Sequence, residues 1–507
     1  MQRQIFAWGV ILLFLLIGLL PVIVMIWNAF SGMDVQTVRS LFSQKEVYGS
    51  FANSILLSFV VASITTFLGT LLGVLFAKTD LIASRFFLSI LIVPLLIPPY
   101  IIALGWIDVI GVNSAFSTVL FGFGGTAWVL FSVYLPIPTV LTMVFLKQVA
   151  TDLEDAARLY TGDIGVLRYI SLPLIMPALV LSFLLVFILT FGEYSVANVL
   201  RYRVFPLESF VRFSAFYDFK AALMMALPMI IVAAGVLLVE RVYLDKKLFK
   251  LKELERINII SLLKKYQIVF SIAVGFIIMV IVVLPLLSLF LRIPDFETLF
   301  GAFAKAWIPL VHSYLYSFSG AALLTILGFL LAYIIAYRVL PYWRFFDASI
   351  VFLLTLPATV LAIGLILLWN RPMLDIVYTS ALIVIFGYAG KYMAVAAKMS
   401  ERKLLQIPPS MVEAAQVSGA NWFSVLRYIL LPQSKKTLLA VFAVSYLFCF
   451  RESTITMLVY PPGYETLPVY IVTQMANGKP EMIASFCAIM VLSVVVPFFI
   501  LNRWKRV

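Results

Sequence analysis

The chain has 507 residues, of which 63% are hydrophobic and 12% are charged, and its formal net charge is +13. Soluble globular proteins contain roughly 45–50% apolar and about 25% charged residues, so this composition excludes a water-soluble enzyme. It also excludes a disordered chain, which requires low hydrophobicity, and two cysteines exclude a disulfide-rich fold.

Apolar stretches long enough to cross a bilayer, about 20 residues each, occur twelve times along the chain. They predict an all-α polytopic membrane protein with about twelve transmembrane helices. The first stretch is expected to remain as a span, because its apolar run is too long for a signal peptide and no small-residue cleavage site follows it. The predicted spans are 7–29, 53–77, 86–108, 126–147, 174–192, 221–240, 267–291, 314–337, 346–369, 376–397, 433–450 and 482–502.

Lysine and arginine are distributed unequally between the two sides that these spans define. With the N-terminus inside, cytoplasmic segments hold 25 of them, outer segments hold 11, and Lys391 lies within a span. Inner-membrane proteins concentrate Lys and Arg in their cytoplasmic loops. The sequence therefore predicts a multi-pass protein of a bacterial or archaeal cytoplasmic membrane, with both termini cytoplasmic. The positive charge needs no nucleic acid partner to explain it.

The chain contains an internal repeat at a constant offset of 259 residues. It predicts two six-span halves, 1–240 and 266–507, joined by a basic cytoplasmic linker at 241–265. An even number of spans in each half makes the repeats parallel, which suits a pathway between them opened by alternating access. A structural duplication without transport is the alternative. Matching positions include Asn53 and His312, Ser54 and Ser313, Pro98 and Pro357, Gly105 and Gly364, Arg168 and Arg427, Pro173 and Pro432, and Glu193 and Glu452.

The loop between the fourth and fifth spans of the second half, about 403–432, carries Glu413-Ala414-Ala415, then Gly419, and ends at Leu431-Pro432. Glutamate and alanine favour a helix, glycine permits the chain to turn after it, and proline suits the start of the next helix. The loop is therefore expected to form a short cytoplasmic helix, a turn and a helix that enters the bilayer. This pattern matches the EAA loop of ATP-binding-cassette (ABC) importer permeases. The whole chain resembles a fused, two-copy permease of a binding-protein-dependent ABC importer.

The corresponding loop of the first half, about 148–173, departs from the pattern. Counted back from the proline, Glu154 corresponds to Glu413, but Asp155 is the residue that directly precedes the Ala156-Ala157 pair. The glycine is Gly162, and the stretch between it and the proline is two residues shorter than in the second half. The sequence leaves open which acidic residue has the role of the motif glutamate. We call residues 148–173 the first EAA loop and residues 403–432 the second EAA loop.

The resemblance implies the fold of type I ABC importer permeases and two sets of partners. Two copies of an ABC ATPase subunit would dock on Glu154, Asp155, Ala156, Ala157 and Gly162, and on Glu413, Ala414, Ala415 and Gly419. An extracytoplasmic solute-binding protein would deliver the substrate. The chain has no G-x-x-x-x-G-K-[ST] motif. We therefore expect ATP and Mg²⁺ to bind the ATPase, with no enzyme activity and no cofactor in this chain.

Four further residues are candidates for the pathway or its gate. Glu193 and Glu452 follow the Leu-Pro pairs by about twenty residues, which places them near the outer ends of their helices. They either flank the outer gate or are satisfied locally, and the second interpretation is favoured. Pro98 and Pro357 are expected to kink or end half-helices, with a gating role as the alternative. Lys391 is expected to extend toward the membrane surface.

No metal site is predicted. Cys449 and Cys487 lie in apolar surroundings and are expected to be small buried hydrophobic residues. The one histidine, His312, cannot form a zinc site by itself.

The substrate is the least determined property. The ends of the two halves, about 191–219 and 451–467, resemble those of fused ferric-iron importer permeases. Thiamine, phosphonate, polyamine or sugar phosphate are alternatives within the same class. An ion-coupled secondary transporter and an intramembrane enzyme are alternatives from other classes. The span interiors hold few ionisable residues and no nucleophile–base pair, which disfavours both.

Overall fold

A computed structural model describes residues 2–31, 35–112, 114–244 and 266–504. Most of the predicted linker, residues 245–265, lies outside this part of the chain. Every regular element within it is helical, which agrees with the predicted all-α class. Up to residue 244 the α-helices are α1 (Gln2–Phe14), α2 (Leu20–Ser31), α3 (Val35–Ser43), α4 (Lys45–Lys78), α5 (Ser84–Leu96), α6 (Pro99–Ile110), α7 (Ser117–Leu120), α8 (Phe123–Tyr134), α9 (Pro136–Leu146), α10 (Thr151–Arg158), α11 (Asp163–Val166), α12 (Leu172–Phe191), α13 (Ser195–Val199), α14 (Phe205–Ser214) and α15 (Phe219–Leu244).

The second half begins a new series of helices at residue 267. They are α16 (Gln267–Ile278), α17 (Leu284–Leu291), α18 (Phe296–Ala336), α19 (Trp343–Thr355), α20 (Ala358–Trp369), α21 (Asp375–Tyr378), α22 (Leu382–Leu405), α23 (Pro409–Val417), α24 (Trp422–Val425), α25 (Leu431–Arg451), α26 (Thr454–Val459), α27 (Leu467–Gln474) and α28 (Pro480–Trp504). In the described part of the chain, four π-helical segments join consecutive helices, at Leu15–Leu19, Leu167–Ser171, Met279–Val283 and Leu426–Leu430, and a short 3₁₀ turn covers Pro372–Leu374.

Eleven of the twelve predicted spans correspond to helices that are apolar enough to cross a membrane. Within the described residues, nine are continuous candidates and two are pairs of helices joined at a sharp bend. The exception is the predicted span 433–450. It forms the helix α25, but Lys435 and Lys436 lie in its first turns, and it is not among the candidates.

Both bent pairs break at the prolines that the sequence singled out. The chain bends by 104° between α5 and α6, and by 110° between α19 and α20. Pro98 and Pro357 occupy the position before the second helix of each pair, and the residue before each proline is extended. Proline disfavours the helical conformation of its preceding residue, which explains why each helix stops there. The predicted breaks are confirmed, and the spans 86–108 and 346–369 are each two helices rather than one.

The chain forms two compact units that each draw on both sequence halves. One contains Met1–Val38, Arg212–Ala233 and Ala304–Ala476, and the other contains Arg39–Val211, Ala234–Phe303 and Asn477–Val507. The first span of the chain thus packs within the unit made mostly of the second repeat. The span of α16 and α17 packs within the unit made mostly of the first repeat.

A glycine permits the same close helix contact in each unit. A Cβ atom on Gly364 of α20 would lie 2.7 Å from the carbonyl oxygen of Pro21, and one on Gly105 of α6 would lie 2.1 Å from that of Pro285. Both prolines lie shortly after a π-helical segment. Because glycine has no Cβ, each helix can approach the backbone of its neighbour closely at this proline. The Ser288 hydroxyl further donates to the carbonyl of Gly105 over 2.9 Å.

Candidate coupling and pathway sites

The first EAA loop folds as the sequence predicts, into α10, a turn and α11, followed by the start of α12. Its two acidic candidates have opposite environments. The Glu154 side chain is 2% exposed, whereas that of Asp155 is 57% exposed. Asp155 accepts a hydrogen bond from Arg158 over 2.8 Å. The offset and the alanine pair thus point to two different residues, and of these Asp155 lies at the surface.

Glu154 is the centre of a buried polar network. Lys78, the last residue of α4, donates from Nζ to both carboxylate oxygens over 2.7 and 2.8 Å, and the Ser171 hydroxyl donates to Oε1 over 2.7 Å. All three residues are buried. We call this the Lys78–Glu154–Ser171 network. Sequence analysis did not identify Lys78 or Ser171, because 76 residues separate Lys78 from its partner. The available signal in the sequence was the position of Lys78, a charged residue at the end of a predicted span.

Arg158 ties α10 to α11 at the surface. Its guanidinium donates to Asp163 over 2.9 Å as well as to Asp155. Partial burial disfavours its charge, but Asp163 and then Asp155 outweigh this effect and raise the pKa of Arg158. Gly162, between the two helices, has a φ of −73°, a conformation open to any residue.

The second EAA loop has the same order of elements but a different turn. Glu413 and Ala414 of α23 are exposed, Ala415 is half-buried, and none of the helix's residues is buried. Gly419 has a φ of +84°, in the left-handed region that favours glycine. Asn421 accepts a hydrogen bond from the backbone N–H of Ser424 over 2.8 Å and thereby caps α24.

Both EAA loops expose large apolar side chains. Leu159 and Tyr160, at the end of α10, are 82% and 92% exposed, and Val417, at the end of α23, is 89% exposed. Leu159, Tyr160 and Val417 lie between the candidate spans of the described residues, so contact with lipid does not account for their exposed apolar surface. Apolar residues clustered on an exposed loop are typical of a surface that binds another protein.

The two glutamates of the predicted pathway pair cap short helices. Glu193 accepts hydrogen bonds from the backbone N–H and the hydroxyl of Ser195, in the first turn of α13. Glu452 accepts from the backbone N–H of Ile455 over 2.9 Å, in the first turn of α26, and from the hydroxyl of Tyr392. A carboxylate is favoured at a helix N-terminus, where it satisfies free N–H groups. The two residues belong to different compact units.

Lys391 has a different environment from the one that the sequence predicts. Its ammonium group donates to the backbone carbonyls of Leu354, over 3.1 Å, and of Leu356. These carbonyls lie at the end of α19, where Pro357 interrupts the helix and leaves acceptors without intrahelical donors. Lys391 therefore satisfies the broken helix end instead of extending toward the membrane surface.

His312 anchors a loop, and the first half has the same arrangement. Its Nδ1 lies 3.2 Å from the backbone oxygen of Glu465, just as the Asn53 side-chain amide donates to the backbone oxygen of Arg203 over 3.0 Å. The neighbouring serines repeat the contact: the N–H of Leu467 donates to Ser313 and that of Phe205 donates to Ser54. Among the described residues, no group of three or more His, Cys, Asp or Glu could hold a metal ion. Cys449 and Cys487 are buried, as expected.

The described helices are those of an all-α, multi-pass membrane protein, and the contacts of His312 and Ser313 repeat those of Asn53 and Ser54. Residues 325–505 match the family described as the inner membrane component of binding-protein-dependent transport systems. The second half of the chain thus matches the inner membrane component of such systems, and the chain as a whole is similar to permeases of this class.

Its similarity to known permeases extends along nearly the whole chain. It is 23% identical to the Fe(3+)-transport system permease protein FbpB 2 of Haemophilus influenzae, with 97% of each chain covered. It is 24% identical to the putative ferric transport system permease protein FbpB 1 of the same organism, over 81% of this chain and 70% of the relative. A shorter segment, 17% of this chain and 33% of the relative, is 34% identical to the spermidine/putrescine transport system permease protein PotC of Escherichia coli.

Proposed function

We propose that this chain is the permease of an importer that passes ferric iron from an extracytoplasmic binding protein into the cytoplasm. The observation that carries the choice of substrate is the end-to-end similarity to a ferric permease, which includes both halves and the joining segment. The match to PotC is local and makes polyamines the second candidate. Local similarity to the putative 2-aminoethylphosphonate transport system permease protein PhnV also supports phosphonates as a candidate. Thiamine and sugar phosphate rest on the class alone.

ATP hydrolysis is assigned to two separate ATPase subunits that bind Mg²⁺ and ATP and dock on the EAA loops. The exposed apolar residues at the ends of α10 and α23 support this assignment, because they provide a contact surface outside the spans. Asp155 and Glu413 are the exposed acidic residues of the two loops. Each would face a cationic side chain of an ATPase subunit.

The proposed mechanism is alternating access. ATP-driven closure of the ATPase subunits draws the two EAA loops together, and the spans open to the loaded binding protein. Hydrolysis separates the loops and returns the pathway to its inward-open state. Both EAA loops and both termini lie in the cytoplasm in this scheme, as the charge distribution favours. Glu193 and Glu452 hold short helices in place, and Pro98 and Pro357 set the bends that a gate could use.

The test is ATPase activity of the reconstituted importer. The chain is co-expressed with the ATPase and binding protein encoded beside it, placed in proteoliposomes, and screened with ferric ion, spermidine, thiamine, a phosphonate and a sugar phosphate. We expect ferric ion alone to stimulate hydrolysis, and only when the binding protein is present. Stimulation by spermidine instead would assign the polyamine class. A permease that never retains an ATPase subunit would contradict the docking assignment and favour an ion-coupled transporter.

A further inference from the structure

The two EAA loops are attached to the rest of their units in different ways. In the first, the Lys78–Glu154–Ser171 network joins three segments: the end of α4, the helix α10, and the π-helical segment that leads into α12. In the second, α23 buries none of its residues. Among the described residues the network has no counterpart in the second EAA loop, because the positions equivalent to Lys78 and Ser171 are Tyr337 and Leu430.

A network of this kind holds a helix firmly. Its carboxylate accepts three charge-assisted or buried hydrogen bonds, which are stronger than exposed ones. Loss of one partner would leave a charge buried without compensation, so α10 cannot move away from α4 at little cost. In addition, α4 and α12 pack directly on each other. A displacement of α10 is thus transmitted to two packed spans at once.

We infer that Glu154 is a positioning residue rather than an ATPase contact, and that the network makes the first EAA loop a fixed lever while the second EAA loop is free to adjust. This inference rests on the proposed docking of ATPase subunits, and it assigns Asp155 as the acidic contact of the first loop. Force from the ATPase subunit on the first loop passes through the ion pair into α4. The second loop relies on its left-handed turn at Gly419 and can follow its own subunit with less resistance.

Amide hydrogen exchange on the purified permease, without any partner protein, tests whether the Lys78–Glu154–Ser171 network holds α10 against α4. Glu154→Gln is compared with Asp152→Asn, which removes one charge from the exposed face of the same helix. We expect Glu154→Gln to speed exchange in α10 by about tenfold or more, to leave α23 unchanged, and Asp152→Asn to have little effect. The charge-swapped variant Lys78→Glu/Glu154→Lys should recover at least half of the protection. If Glu154→Gln does not fold, Ser171→Ala removes one hydrogen bond and should speed exchange by about threefold.

Transport per ATP hydrolysed, measured in the reconstituted importer, tests whether the first EAA loop passes force from the ATPase subunit to the spans. Glu154→Gln should retain its ATPase subunits and lose about fivefold or more in uptake per ATP, and the charge swap should restore it. Unchanged exchange in α10, in Glu154→Gln or in Ser171→Ala, would overturn the inference. The inference would also be overturned if Glu154→Gln lost the ATPase subunit without faster exchange in α10, because Glu154 would then be a direct contact of that subunit. A wild-type chain that retains no ATPase subunit would contradict the proposed function and leave the exchange result standing.

Discussion

At the scale of single residues, equivalent positions in the two repeats have kept their place but not their environment. Glu154 and Glu413 share the offset, yet one is buried against Lys78 and the other is exposed. Gly162 and Gly419 both lie in the turn that follows the loop helix, yet only Gly419 has a positive φ. Local sequence identified all four residues. It could not separate their roles, because burial and backbone conformation depend on partners distant in the chain.

The difference between the two glycines gives a matched pair of variants. Gly419→Val places a β-branched residue in the left-handed region, which costs about 1–2 kcal/mol and should shift the turn. Gly162→Ala should be tolerated, because its backbone conformation is ordinary and a Cβ there meets no atom within 4 Å. We expect Gly419→Val to lose most ATPase co-purification and Gly162→Ala to keep it. Equal retention in both variants would contradict the role of the turn.

At the scale of the elements, hydropathy predicts where helices lie, and proline predicts where two of them break. The angle of each break is not readable from sequence, because it depends on what the second helix packs against. In both units that neighbour is a span from the other sequence half, which meets α6 or α20 at a glycine. The π-helical segments were not predicted, since no local pattern distinguishes them from α-helix. Lys391 likewise needed the position of Leu354 and Leu356 before its role could be assigned.

The glycine contact predicts a position-specific cost. Gly364→Ala places a methyl group 2.7 Å from the carbonyl oxygen of Pro21, and backbone must shift to accommodate it. Overpacking of this kind costs about 1–3 kcal/mol. Gly9 lies in the first span, as Pro21 does, and a Cβ atom there meets nothing within 4 Å, so Gly9→Ala serves as the control. Thermal unfolding of the detergent-solubilised permease should show a lower midpoint for Gly364→Ala alone. Indistinguishable midpoints for the two variants would mean that α20 does not depend on this contact.

At the scale of the whole molecule, the repeat and the compact units divide the chain differently. The sequence repeats at an offset of 259, whereas each compact unit combines segments from before and after residue 245. The division into halves at 1–240 and 266–507 remains a prediction about the repeat. A span that packs with the opposite repeat has no signature in its own composition, since every span is apolar.

The mixed units predict that neither half folds alone. If the chain is cut within residues 245–265 and the two parts are expressed together, they should co-purify and support uptake. Each part expressed singly should aggregate or be degraded, because its compact unit lacks packed helices from the other part. Size-exclusion chromatography with a fluorescent tag on either part measures whether the two parts elute together and whether each part alone aggregates. A single half that elutes as a stable, monodisperse species would show that the exchanged spans are dispensable.

The sequence alone determined that this is an all-α, multi-pass membrane protein similar to ABC importer permeases, because apolar length, a constant repeat offset and the EAA spacing are all properties of the chain in one dimension. It also located the helix breaks, since proline acts on its own backbone. Only the tertiary structure decided that Glu154 is an internal anchor, that Lys391 satisfies a broken helix, and that the first span packs with the second repeat. Each of these depends on groups that meet across long stretches of chain, and apolar packing and buried charge pairing act between neighbours in space.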